Sequence, residues 1–296
     1  MSALATILCP VDSSEFSRRA VRYAAALGRT FGSRLVVLSV RPAAPPPELW
    51  LTRSPLVAEE TAAERAAVVE AIRRFVAPEI GDLAVEVQLR DGEVVTEILR
   101  TADEIDADLI AMGTHGLRGF TRLLLGSVTE RVLQQARCAI LTVRESAGPG
   151  AAFQTVVCGM DGSDASKRAL AFASDLARRT HGRVVVVHAI EDFAREGPAF
   201  HRHFNIEACW RAASPEIREA YAALAPEDLR AAGRIEVKVP LGPAYRAIMQ
   251  AAADASADLI VIGTSGATTP FGTTALRVVR EATPPVLAVP PLALES

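Results

Sequence analysis

Gly113, Gly116, Gly126 and Ser127 stand in the order Gly-x2-Gly-x9-Gly-Ser, directly after the apolar run Leu109–Met112. Glycine gives backbone that can adopt positive φ or come close to a ligand. The residues after Gly126 have helical periodicity, and a helix N-terminus presents free N–H groups and the positive end of its dipole to an anion. The chemistry that this spacing suits is phosphate binding. Ser127 and Glu130 add a Ser-x-x-Glu capping box ahead of Val132, Leu133 and Ala136. Neither common phosphate loop is present: no Gly-x4-Gly-Lys-[Ser/Thr] occurs, and no Gly-x-Gly-x-x-Gly follows a strand. A structural role fits the same residues, with the glycines allowing a tight strand-to-helix turn and Ser127 serving only as a cap.

A second polar candidate is Asp12, which follows Pro10 and Val11 after the apolar run Thr6–Cys9. Its carboxylate can accept from an amine or hydroxyl, or cap the following helix. His115, inside the glycine loop, either meets phosphate or faces solvent. Other clusters have plainer readings. His201, His203, Glu207 and Cys209 are dense in metal-ligating types, but residues two apart do not share a helix face, so a partner-facing or packing insert is expected there and no metal. His188 lies in the apolar run Val184–Ile190 and reads as a hydrogen-bonded core histidine. Cys9, Cys138, Cys158 and Cys209 include no Cys-x-x-Cys pair and read as reduced thiols.

The elements that position these groups come from an internal repeat. Residues 90–116 align without gaps to 240–266, pairing the Ala-Asp-Leu-Ile tetrads at 107–110 and 257–260, Gly113 with Gly263, and Gly116 with Gly266. Asp12 pairs with Asp161, and Leu27 with Leu176. One domain is thus written twice, over 1–145 and 152–296, with a Gly/Pro connector at 146–151. In the first copy, strands are expected at Thr6–Cys9, Leu35–Val40, Val85–Leu89, Leu109–Met112 and Ala139–Val143. Helices alternate with them: one with Phe16, Ala20, Tyr23, Ala24, Leu27 and Phe31 on one face, then Ala58–Val76, Val94–Ala102 and Val128–Ala136. Such alternation predicts an α/β fold, a parallel sheet covered on both faces, with ligands beyond the carboxyl ends of the strands where their order reverses.

With its complete Gly113-x2-Gly116-x9-Gly126-Ser127 loop and Asp12, the chain resembles the universal stress protein family, whose ATP-binding members carry Gly-x2-Gly-x9-Gly-[Ser/Thr]. The resemblance implies two tandem Rossmann-like domains, each a five-stranded parallel sheet of order 3-2-1-4-5. It maps Val11, Asp12 and Val40 onto adenine and ribose contacts of ATP, and Gly113, Gly116, Gly126, Ser127 and Val128 onto ribose and phosphate contacts. Pro10, Met112 and His115 complete the expected ATP site, with Mg2+ accompanying the nucleotide. The family also typically dimerises through its fifth strand, so Ala139–Val143 and Val286–Val289 are expected to pair within this chain as a pseudo-dimer; further homodimerisation stays open.

The second copy departs from the pattern. Gly272 follows Gly266 after five residues, Pro270 stiffens the shortened arm, Leu276 replaces Glu130, and Arg118 and Arg122 have no counterparts. Its site is expected to bind nucleotide weakly, differently or not at all.

At 296 residues, 50% apolar and 23% charged, the chain has the size and composition of two globular domains with real cores. A net charge of −3 offers no footprint for nucleic acid, and no run approaches the roughly 20 apolar residues of a membrane span. The N-terminus reads as a first strand and not as a signal peptide, so a cytoplasmic location is expected. Three functions remain: an ATP-binding stress regulator or sensor, a slow ATPase, and a nucleotide-free interaction module using the inserts at 41–57 and 191–213. Efficient turnover is not expected, because the glycine loop has no Lys and the only acid–base pair is Asp12 with His115.

Overall fold

The computed structural model describes residues 4–42, 61–114, 125–144, 147, 152–190, 206–264 and 272–291. The first copy runs β1 (Thr6–Val11), α1 (Glu15–Phe31), β2 (Arg34–Arg41), α2 (Ala62–Ile80), β3 (Val85–Asp91), α3 (Val94–Glu104), β4 (Leu109–Gly113), α4 (Ser127–Gln135) and β5 (Ala139–Val143). The second runs β6 (Thr155–Gly159), α5 (Asp164–Thr180), β7 (Arg183–Val187), α6 (Ile206–Ala223), α7 (Glu227–Ala231), β8 (Ile235–Lys238), α8 (Ala244–Asp254), β9 (Leu259–Gly263), α9 (Thr273–Glu281) and β10 (Val286–Val289). Several ends differ from expectation, two elements for clear local reasons. β1 continues to Val11 because its ladder with β2 persists to Ser39. α2 starts at Ala62, where Thr61 and Glu64 form a reciprocal capping box, and it runs on through Pro78 to Ile80.

The strands form one sheet in the order β3-β2-β1-β4-β5-β10-β9-β6-β7-β8. Neighbours within each half are parallel, and the central strands β4 and β5 are buried along their whole length, as a sheet covered on both faces requires. The seam is antiparallel: Ile140, Leu141 and Thr142 of β5 face Ala288, Leu287 and Val286 of β10. Pairing the two fifth strands removes apolar edges from water. The outer edges left over are β3 and β8, which carry Glu86, Gln88 and Arg90, and Glu236 and Lys238.

One core lies under α1, α2 and α5 and includes Tyr23, Leu27, Val76, Phe172 and Leu176. The other lies under α3, α4, α8 and α9 and includes Ile98, Val132, Ile248 and Val278. Both run without a break from one copy into the other. Across the seam Phe31 stacks on Phe172 at 5.5 Å, Tyr23 meets Phe153 edge-on at 5.9 Å, and the Arg179 guanidinium lies 4.7 Å from the Phe31 ring centre. The repeated aspartates of the Ala-Asp-Leu-Ile tetrads are structural. Asp108 accepts from the Ala5 and Thr6 N–H groups at 2.8 and 2.9 Å, and Asp258 from Thr155 at 2.9 Å, tying the amino end of each fourth strand to that of the first. Among the described residues no helix is long and apolar enough to cross a membrane.

Candidate functional site

β1 and β4 pair only at Ile7 with Leu109 and Leu8 with Ile110, although β1 continues to Val11 and β4 to Gly113. Beyond Leu8 the strands part at the point where strand order reverses, leaving a crevice between their carboxyl ends. In the second copy β6 and β9 pair from Val156 to Cys158 and then part in the same way.

At the mouth, Pro10 lies opposite Leu38 in the ladder. Val11 buries its side chain in the core under α1, so it offers the crevice its backbone. Asp12 is exposed, and its Oδ1 accepts from the Ser14 N–H at 3.0 Å and hydroxyl at 2.5 Å. Ser14 in turn accepts from the Ser17 N–H at 3.2 Å and is the N-cap of α1. The capping role open to Asp12 therefore falls to Ser14, which Asp12 braces. Ser13 between them takes the left-handed conformation, φ 63°, where the second copy has Gly162 at 83°. Val40, Met112 and Val128 all pack on the opposite face of the sheet from Val11, with Met112 buried and the other two partly so.

Gly113 and Gly126 are brought together. The Thr114 N–H donates to Val143 at 3.0 Å, the Gly126 N–H donates to the Thr114 carbonyl at 2.7 Å, and the Thr129 hydroxyl donates to the Gly113 carbonyl at 2.9 Å. A Cβ on Gly113 would stand 2.9 Å from the backbone carbon of Phe16, so the close approach that this glycine permits is that of α1. α4 starts with Gly126 as its N-cap and no side-chain cap. The capping box expected of Ser127 and Glu130 does not form. The Gly126 carbonyl already accepts from the Glu130 N–H at 2.9 Å, which places Ser127 inside the first turn, and the Glu130 carboxylate goes to Arg280 at 2.7 Å. Ser127, Val128 and Thr129 thus head the helix with no capping side chain. His115 and Gly116 lie outside the described residues, as do Arg118 and Arg122.

Charged groups on the same carboxyl side surround β3. Glu93, the N-cap of α3, is held down to about 2 by hydrogen bonds from the Thr96 backbone and hydroxyl, with Arg131 adding to them at 2.8 Å. Arg41 and then Arg65 hold the Asp91 carboxyl below its ordinary range. The sequence reading did not single out these residues. Their signal lay in the repeat, where Arg90-Asp91-Gly92-Glu93 aligns with the uncharged Pro240-Leu241-Gly242-Pro243.

The second crevice is built differently. Ser163 caps α5 and is braced by Asp161 at 2.9 Å. Burial pushes the Asp161 carboxyl up, but hydrogen bonds from Ser163 and Ser166 outweigh it and hold the group below its usual value. His188 Nδ1 lies 2.8 Å from the carbonyl of Met160, which stands where the first copy has Val11, and its ring lies 4.7 Å from Tyr221. His188 is thus the hydrogen-bonded histidine expected. Gly272 heads α9 without a side-chain cap, and among the described residues no bond to Thr264 matches that of Gly126 to Thr114. Cys9, Cys138 and Cys158 are free thiols, each pushed up to about 12 by burial. Among the described residues no group of three His, Cys, Asp or Glu side chains could hold a metal; His201 and His203, and the side chains of Glu207 and Cys209, lie outside them.

The universal stress protein family model matches residues 4–144 and again 152–290. A universal stress protein of Mycolicibacterium smegmatis is 27% identical over 300 residues, covering 96% of this chain and 97% of that protein. Universal stress protein MJ0531 of Methanocaldococcus jannaschii is 33% identical over 146 residues, 47% of this chain and 81% of the relative. Among solved structures, a universal stress protein from Archaeoglobus fulgidus overlays 98% of this chain and 99% of its own with a TM-score of 0.70 at 22% identity, a likeness of fold.

Proposed function

Since the chain belongs to the universal stress protein family, we propose that its first copy binds ATP, accompanied by Mg2+, and acts as a nucleotide-dependent regulator or sensor in a stress response. The observation that carries this reading is the uncapped start of α4 at Gly126, tied to Thr114 beside the crevice between β1 and β4. The N–H groups of Ser127, Val128 and Thr129 suit phosphate oxygens. Asp12 supplies an exposed acceptor for an amine or hydroxyl, Pro10 and Val11 supply backbone, and Val40, Met112 and Val128 form one apolar flank for a ring. Gly113 and Gly126 flank the same crevice through their bonds to Thr129 and Thr114. Mg2+ is read as riding on the triphosphate, the usual arrangement for a cation that keeps its own waters.

One observation favours the interaction-module reading instead. Gly113 is already needed for the packing of Phe16, so this glycine has structural work without a ligand. Denaturing freshly purified protein and identifying released nucleotide separates the two. Adenine nucleotide approaching one per chain supports the ATP reading. Protein that releases none, and takes up none when incubated with Mg-ATP, supports the module.

A further inference from the structure

We propose that the Glu130–Arg280 ion pair is a positioning device by which the second copy tunes the phosphate-facing turn of α4; the inference rests on reading that turn as the phosphate site. Glu130 lies in the first turn of α4, and Arg280 in the last turn of α9. Arg280 Nη2 stands 2.7 Å from Glu130 Oε1, with the two side chains 40% and 32% exposed, so water screens the pair only in part. Arg144, the residue after β5, donates from Nη1 to the Arg280 backbone carbonyl and fixes the end of α9 against the first copy.

The bridge is one-sided. Aligning Gly126 with Gly272 sets Leu276 at the place of Glu130 and Gln134 at the place of Arg280, so the pseudo-twofold relation supplies no reciprocal ion pair. A carboxylate in a first helical turn suits the helix dipole, but it repels an incoming phosphate. Arg280 offsets that charge and holds the start of α4 against α9. The copy with the shortened loop thereby serves the copy with the complete one.

The test is calorimetric titration of Mg-ATP, and separately of inorganic triphosphate, into wild type, Arg280→Met, Glu130→Gln and the double variant, with urea unfolding of all four. Arg280→Met keeps most of the aliphatic stem and leaves Glu130 uncompensated, so both ligands should bind about three- to tenfold more weakly. Glu130→Gln should stay within about threefold of wild type, and the double variant should recover the Glu130→Gln affinity. Arg280→Met binding as tightly as wild type overturns the inference alone. So does a double variant that stays as weak as Arg280→Met, which would signal general loosening. No binding by wild type overturns the phosphate reading and this inference with it.

Discussion

Replacing Gly113 by alanine puts a methyl group where α1 passes over the end of β4. That Cβ would meet the backbone carbon and Cβ of Phe16 at 2.9 Å and its carbonyl oxygen at 3.0 Å, against an ordinary contact of 3.4–4 Å. The first turn of α1 must retreat by roughly half an ångström, and overpacking of this kind costs about 1–3 kcal/mol. For 296 residues unfolding together that lowers the thermal midpoint by about 2–5 °C. Gly263→Ala should cost at least as much, because its Cβ would lie 2.6 Å from the Ser166 backbone nitrogen. Gly28→Ala is the control. It lies inside α1, its tightest contact is the mobile end of Leu83 at 3.2 Å, and helix propensity favours alanine by about 1 kcal/mol. Thermal and urea unfolding followed by circular dichroism, without nucleotide, should rank Gly28→Ala at or above wild type and the other two below it. Equal midpoints for Gly113→Ala and Gly28→Ala would refute the packing of α1 on β4.

Two further outcomes follow from the same geometry. Glu93 has its folded-state pKa lowered from 4.5 to about 2, so its capping contribution is present above about pH 4.5 and fades as pH falls towards 2. Glu93→Gln should cost about 0.5–1 kcal/mol at pH 7, at the low end for a cap because the position is exposed, with the gap to wild type closing on acidification; urea midpoints showing a pH-independent gap would contradict this. Leu141→Asp sets a buried charge opposite Leu287 in the seam, and should cost at least about 3 kcal/mol and destabilise both halves, because both cores cross the seam. Two calorimetric transitions with one unchanged would argue that the copies do not share a sheet.

Much of this arrangement is legible in the sequence. Apolar runs such as Ala139–Val143 and Val184–Val187 have little alternative to buried parallel strands, and the repeat carried the element order from one copy to the other. The ends were harder. Ser127-x-x-Glu130 satisfies the capping pattern, but Gly126 can take the extended N-cap conformation with φ −61° and ψ 139°, and once its carbonyl bonds Glu130 the box has no place. Asp12 looked like either a ligand or a cap because local sequence does not reveal that Ser14 takes the capping bond. The roles of Gly113 and Glu130 depend on Phe16 and Arg280, and no local pattern reports partners so far along the chain. The Asp108 and Asp258 ties were visible as identities in the repeat, but not as bonds to residues more than 100 positions away.

Calorimetric titration of Mg-ATP into wild type, Gly126→Val and Gly272→Val bears most directly on the central claim. About one ATP per chain is expected for wild type and for Gly272→Val, and loss of binding with Gly126→Val while its unfolding midpoint stays close to wild type. Two equivalents for wild type, or binding that survives Gly126→Val and disappears with Gly272→Val, would contradict it.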